Sequence, residues 1–431
     1  MSDSNKLTFP ETVLLSGADC FMLALEQHSS KFSATGNVCH MVLDLQGKLD
    51  ESTLRSNIEK LNIFNWLSSI KLERGGLGKI PFWKKTAEKN TIEIISLQTD
   101  HFELPESIIN FHIPLNASCL FRFYLIGRPD ENTTLVFSWH HILMDAHGAE
   151  TLIKYLGEEI SLENIDGFFP AAEKEIPFSE QWKKMWISKK FVEETAQTPL
   201  AEMMEKSPAY MPDHSYKVIT FSEEETLRID KNAELNGAKF GKGAFNLASA
   251  ARAVSPLLET KKDGNGAIWI PVPQNKRLKG GYGPVVSNPI SFLFYRITKD
   301  QLKDLKSCTE SLTSQLFHQI KIKAPADYSV MSNLLRRIPS WLYYQMLKGP
   351  GGGVVASFLF TDPGATDFKT FMGMTVKDFV SFPPNTFPPG LTIVFQRFNK
   401  KQKILINFTK QVISHQELQN LENHFRKDLL G

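Results

Sequence analysis

Apolar and polar positions alternate with a period of two in several short runs. Cys39, Met41, Leu43 and Leu45 stand two apart, as do Cys119, Phe121, Phe123 and Leu125. Such spacing puts each set on one face of a β-strand. Gly47 ends the first run, and Leu54, Ile58 and Leu61 follow at helical spacing. The second run ends in the polar turn Arg128-Pro129-Asp130-Glu131-Asn132, and a return strand spans 134–139. A helix comes next, with Ala149, Leu152, Ile153 and Leu156 on one face, and stops near Gly157. The chain before residue 39 reads as irregular.

The later chain carries clear helix starts. Ser222-Glu223-Glu224-Glu225, Thr298-Lys299-Asp300-Gln301 and Ser414-His415-Gln416-Glu417 each set a hydroxyl three residues before Glu or Gln. That is the capping-box pattern. Strand-like runs lie between them at 267–272, 290–297, 354–361, 391–398 and 403–408. Strands mixed with long helices indicate the α/β class. A chain of 431 residues suits two units of about 200 residues each. We divide it into an N-terminal unit 1–180, a crossover linker 181–215 and a C-terminal unit 216–431. The region 158–215 is rich in Glu, Lys, Pro and Met, with a helix expected around Ser179 to Glu194.

The order strand, polar turn, strand, helix occurs at 118–157 and again at 391–430. The two copies differ at the end of the second strand. The first continues into His140-His141, the second into Thr409-Lys410-Gln411. A side chain there is held by the sheet while the connecting backbone leaves the core beside a cleft. Histidine is the side chain that accepts and returns a proton near neutral pH. Asp145 can anchor the turn, and the small Ala146 and Gly148 let a helix start close by. The bland alternative is a structural histidine. A metal site fits poorly, because adjacent strand residues point to opposite faces.

The formal net charge of +2 gives no field to attract nucleic acid. Cys20, Cys39, Cys119 and Cys308 show no paired spacing and read as four reduced core thiols. Met1 to Lys6 lacks the apolar run of a signal peptide, and no run approaches the roughly 18 apolar residues that span a bilayer. The expected location is the cytoplasm.

The segment His140-His141-Ile142-Leu143-Met144-Asp145-Ala146 resembles the HHxxxDG motif of the chloramphenicol acetyltransferase-like superfamily. That group includes condensation domains, wax-ester synthases, polyketide-associated acyltransferases and the plant BAHD enzymes. Ala146 stands where the motif has Gly. The run Pro271 to Arg277, followed by Gly283 and Asn288, is similar to the condensation-domain pattern of Arg, Gly and Asn before a strand. Asp378-Phe379-Val380-Ser381-Phe382 does not match the DFGWG motif of the plant branch.

The resemblance implies two similar subdomains, each a mixed sheet flanked by helices, with a tunnel between them. It implies that His141 is the catalytic general base, His140 supportive and Asp145 structural. It implies that Arg277 pairs with Asp145, the alternative being one member of a solvated basic run 276–279. It offers Asn288, Ser357 and Thr361 as oxyanion or substrate contacts, the alternative for each being a plain structural role. The implied reaction moves an acyl group from a CoA or acyl-carrier-protein (phosphopantetheine) thioester to an alcohol or amine acceptor. No permanently bound cofactor or metal is implied. The alternatives are a free-standing condensation enzyme forming an amide, and a catalytically impaired homologue that binds carrier proteins, which Ala146 motivates.

Two features stand apart. Gly349-Pro350-Gly351-Gly352-Gly353 lacks the GK[ST] ending of a phosphate loop and reads as a flexible loop. Trp182-Lys183-Lys184-Met185-Trp186 and Arg336 to Tyr344 are basic, aromatic and amphipathic. Each reads as a face packed on the other subdomain, with peripheral contact to a membrane, carrier protein or acyl chain as the alternative.

Overall fold

The period-two runs become strands of two mixed sheets that face one another. The structure, a computed structural model, describes all residues except 1–8, 30–34, 75–76, 102, 172–175, 204–212, 262–264, 279 and 352. The N-terminal run 1–6, part of the crossover segment, Lys279 and Gly352 therefore lie outside the described residues.

The first half runs β1 (Thr12–Leu14), α1 (Gly17–Ser29), β2 (Val38–Leu45), α2 (Glu51–Lys60), α3 (Asn62–Leu67), β3 (Ile70–Glu73), β4 (Phe82–Lys85), β5 (Ile94–Gln98), α4 (Glu106–Ile109), β6 (Phe121–Gly127), β7 (Thr133–His140) and α5 (Ala146–Leu156). Helix α6 (Phe178–Thr195) crosses over. The second half runs β8 (His214–Thr220), α7 (Glu223–Leu235), α8 (Gly243–Glu259), β9 (Ile268–Asn275), β10 (Ile290–Ile297), α9 (Leu305–Lys321), α10 (Ala324–Leu335), α11 (Ser340–Lys348), β11 (Leu359–Thr366), β12 (Thr370–Phe371), β13 (Met374–Phe382), β14 (Leu391–Phe398), β15 (Lys401–Thr409) and α12 (His415–Leu430).

The first of these sheets has the order β12-β13-β2-β7-β6-β5 and the second β11-β14-β15-β8, while β1-β4-β3 and β10-β9 form two smaller sheets. Strands β12 and β13 come from the second half but join the sheet of the first, with Phe382 paired to His40. Each of the two facing sheets buries one apolar face under helices. Met41, Leu43 and Phe137 serve the first core, and Ile393, Phe395, Ile404 and Ile406 the second. The faces turned towards each other mix Val42, Val136, Val394 and Leu405 with polar groups. Lys403, 2% exposed, reaches across to the Asp378 carboxylate, and Gln396 Oε1 accepts from the Ser381 N–H at 2.9 Å.

Several expectations shift. The chain before residue 39 is not irregular, because Ser16 and Asp19 form a reciprocal cap that starts α1. The Thr298 box caps only a 3₁₀ turn at Lys299–Leu302, and the long helix starts after Asp304, which caps it. The strand expected at 354–361 begins five residues later, at Leu359. The boundary at 180/181 falls inside α6. Cys20, Cys39 and Cys308 are buried, while Cys119 is half-buried. The Trp182–Trp186 stretch is not packed away. Helix α6 buries Ser188 and Val192 and leaves Phe178, Trp182 and Trp186 exposed. In the Arg336–Tyr344 stretch Trp341 is exposed but Tyr343 and Tyr344 are buried. No helix among the described residues is long and apolar enough to cross a membrane.

The junction of the sheets holds two buried imidazoles. His40 Nδ1 lies 2.7 Å from Ser138 Oγ on the neighbouring strand. His214 Nδ1 lies 2.9 Å from Asn385 Nδ2. Both rings line one small polar cavity with Asn407 and Phe382. Burial holds each imidazole down to about 4. Both are therefore neutral in the fold over a range where the unfolded chain protonates them. Between roughly pH 6.5 and 4 the unfolded state binds more protons, so stability falls as pH drops through that window. Each group accounts for on the order of 3 kcal/mol at the acid end. Thermal melts across this range should show a falling midpoint, and the pair His40→Asn with His214→Asn should flatten it. A wild-type midpoint that holds constant contradicts the assignment.

Candidate active site

The histidine turn is pinned first through its backbone. His140, the last residue of β7, donates its N–H to the Leu120 carbonyl at 2.8 Å, and His141 donates to the Asn37 carbonyl at 2.8 Å. Trp139 Nε1 donates to the Met144 carbonyl at 2.9 Å and closes the turn.

His140 is wholly buried. Its Nδ1 accepts the Ile142 N–H at 3.2 Å. That fixes the tautomer, leaving Nε2 to carry a proton towards Glu26 Oε2, 3.5 Å away. Glu26 on α1 also meets His112 Nε2 at 3.0 Å and accepts the Asn37 N–H at 2.7 Å. Burial pushes the Glu26 carboxyl up, but His112 and His140 outweigh it and hold it down to about 2.

His141 differs from its neighbour in being only partly buried. Its Nδ1 is turned inward without a hydrogen-bond partner. Burial pushes the imidazole down, opposed by its own carbonyl, the Asp145 carboxylate and the Asn288 side chain, while His140 adds to the lowering. The ring is thus kept neutral, with a lone pair to offer.

The second half grips this turn at two points. Arg277, just past β9, donates from Nη1 to Asp145 Oδ2 at 2.7 Å and from Nη2 to Asp145 Oδ1 at 2.9 Å. Its Nε and Nη2 also donate to the Pro284 carbonyl, at 3.2 and 2.7 Å. The Arg277 side chain is 1% exposed and that of Asp145 11%. Asp145 caps α5 as well, through the Gly148 N–H at 2.8 Å. At the second point, Asn288 Nδ2 donates to the His141 carbonyl at 3.0 Å and to Asp19 Oδ1 at 2.8 Å. The Asn288 N–H goes to the same Asp19 oxygen at 2.8 Å. Burial pushes the Asp19 carboxyl up, with the bonds from Asn288 and Ser16 acting against it.

The other candidate contacts sit elsewhere. Both amide donors of Asn288 are spent on Asp19 and the His141 carbonyl. Ser357 donates to the Ala201 carbonyl at 2.6 Å and accepts the Trp269 N–H at 3.0 Å, tying β9 to the segment before β11. Thr361 is half-buried on β11 opposite Val394. No hydrogen bond or ion pair among the described residues joins Ser357 or Thr361 to His141. His147 Nε2 lies 3.1 Å from the Gly281 carbonyl, so it too meets the second half.

Asp19, Glu26 and Asn37 escaped the sequence reading. A signal existed: Asp19 and Glu26 are seven apart, two helical turns, in an otherwise apolar stretch.

No family model matches the sequence, and no curated protein matches it. Solved structures match in fold along nearly the whole chain. The trichothecene 15-O-acetyltransferase TRI3 from Fusarium sporotrichioides superposes with a TM-score of 0.70 at 12% identity, over 97% of this chain and 94% of that one. The epimerization domain from the third module of tyrocidine synthetase B gives 0.64 at 14% identity, over 99% and 98%. A mutant starter condensation domain of rhizomide synthetase, in complex with C8-CoA and Leu-SNAC, gives 0.64 at 12% identity, over 97% and 94%. The chain has the chloramphenicol acetyltransferase-like condensation fold.

The tight packing after the histidine turn falls at Gly148 and not at Ala146. Ala146 is the first residue of α5 and has no positive φ. A Cβ on Gly148, in contrast, would stand 2.4 Å from the Val285 carbonyl oxygen. Gly148→Ala should therefore cost about 1–3 kcal/mol of stability through overpacking. Ala146→Gly should cost no more than about 1 kcal/mol. Urea unfolding of the two variants checks this, and the reverse ranking contradicts it.

Proposed function

We propose that the protein is an acyltransferase that moves an acyl group from a thioester to an alcohol or amine, with His141 as general base. One observation carries the reading: a partly buried imidazole whose charged form is disfavoured by burial is clamped by residues from both halves. The matched structures support it by analogy of fold, since they include an O-acetyltransferase and a condensation domain complexed with C8-CoA and an amino-acid thioester analogue.

In this reading His141 Nε2 takes the proton as the acceptor oxygen or nitrogen attacks the thioester carbonyl. A tetrahedral oxyanion forms. Its collapse breaks the carbon–sulfur bond, and the departing thiolate recovers the proton from His141. CoA or a phosphopantetheine-bearing carrier protein supplies the thioester as co-substrate. Asn288 and Arg277 are positioning residues: the first holds the His141 carbonyl, the second the Asp145 carboxylate. Ser357 takes a structural role. Ala146 has no positive φ, so its methyl group fits the backbone there, which supports the active reading over the catalytically impaired one.

The test is product analysis by mass spectrometry after incubation with a panel of acyl thioesters and alcohol or amine acceptors. Ester products separate the acyltransferase from an amide-forming condensation enzyme. His141→Ala, folded, should lose about 10²–10⁴-fold in turnover. The wild-type kcat/KM should rise with pH and level off, with an apparent pKa below the ordinary histidine value of about 6.5, because the neutral ring is the active form. Turnover unchanged in His141→Ala overturns the assignment, and a wild-type chain that transfers nothing but still binds carrier protein overturns the enzyme reading.

A further inference from the structure

Two polar atoms beside the histidine turn remain when its hydrogen bonds are counted. His141 Nδ1 and Asn288 Oδ1 are both buried, and neither has a hydrogen-bond partner among the described residues. Buried polar atoms left so are costly, and native proteins rarely keep them. The orientation of the Asn288 amide is fixed. Its Nδ2 faces two acceptors, Asp19 Oδ1 at 2.8 Å and the His141 carbonyl at 3.0 Å. A flipped amide would set one oxygen against two others, so Oδ1 is the atom that lacks a partner.

An amide oxygen only accepts. A ring nitrogen of a neutral imidazole donates or accepts, according to where its one proton sits. The Asn288 side chain is among the groups that act on the His141 ring, so the two atoms share one neighbourhood. With the proton on Nε2, both present lone pairs to the same interior. With the proton on Nδ1, one donates and the other accepts, and each supplies what the other lacks. The competing acceptor is the His141 carbonyl, which also acts on its own ring. That carbonyl already receives Asn288 Nδ2.

We propose that Asn288 sets the tautomer of His141: its Oδ1 accepts the Nδ1–H, and the lone pair is thereby kept on Nε2. The imidazole turns about a soft torsion, and that turn brings Nδ1–H to Oδ1. Which ring nitrogen carries the proton is decided by the hydrogen bond the other side of the ring makes. Asn288 acts through His141 and is a positioning residue. The inference rests on the acyl-transfer reading for the use of the Nε2 lone pair. ¹⁵N NMR of the histidine-labelled full-length chain at about pH 8, above the ordinary histidine range, reads the tautomer. Loss of a signal in His141→Gln identifies the ring. Wild type should carry the proton on Nδ1, against the preference of an unconstrained histidine for Nε2–H. Asn288→Ala, or Asn288→Ser if the alanine variant does not fold, should shift the ring to Nε2–H. With the thioester and acceptor that the product analysis finds active, kcat of that variant should fall about tenfold or more while KM holds. Nε2–H in wild type overturns the proposal. So does Nδ1–H retained in the folded variant, which assigns the tautomer to the ring's own carbonyl. The tautomer is read without turnover, so failure here and failure of the acyltransferase reading are separable.

Discussion

The site depends on one buried ion pair, that between Asp145 of the first half and Arg277 of the second. Taking two charges out of water costs several kcal/mol per ion, and their attraction offsets this only when the geometry is good and the remaining donors are satisfied. Here two parallel bonds join guanidinium and carboxylate, and the Pro284 carbonyl and Asn275 Oδ1 take the donors that remain. The Asp145 carboxylate also caps α5. One carboxylate thus fixes the direction of the helix, the path of the chain after β9, and the end of the histidine turn. Such a pair adds less to stability than to uniqueness, because an arrangement that separates the halves strands a charge.

The second staple, from Asp19 through Asn288 to the His141 carbonyl, explains why the ring stays where it is. His141 is held by its main chain from both sides, so its imidazole need not be packed to be ordered. That frees the ring edge. His140 shows the opposite solution: sealed in the core, hydrogen-bonded to the backbone and facing a buried glutamate. Adjacent histidines on a strand end point to opposite faces, and one ring is sealed in the core while the other is only partly buried.

Much of this was legible along the chain. The β10 and β14 bounds match their apolar runs, and the Ser222 and Ser414 boxes cap α7 and α12. Those signals are local: alternation and caps act within a few residues. The Thr298 box was local too, yet only a 3₁₀ turn follows it, because Asp304 offers a second cap five residues before Thr309 turns inward. What was not legible is long-range. Nothing near 374–382 says that β13 pairs with β2 rather than with β14, its neighbour in sequence. Glu26 looks like an ordinary helical acid until β2 and β7 bring Asn37 and His140 against it. The need for a small residue at 148 arises from the Val285 carbonyl, 137 positions further on, where no local pattern reaches.

Because the ion pair joins the halves at the base of the histidine turn, its coupling energy is the most direct test. A double-mutant cycle with Asp145→Asn and Arg277→Gln, read by denaturant unfolding, isolates it. Residues in direct contact within one network couple by about 0.5–3 kcal/mol, and the buried, two-pronged geometry predicts the upper part of that range. Effects that simply add, with no coupling beyond about 0.5 kcal/mol, would contradict the account.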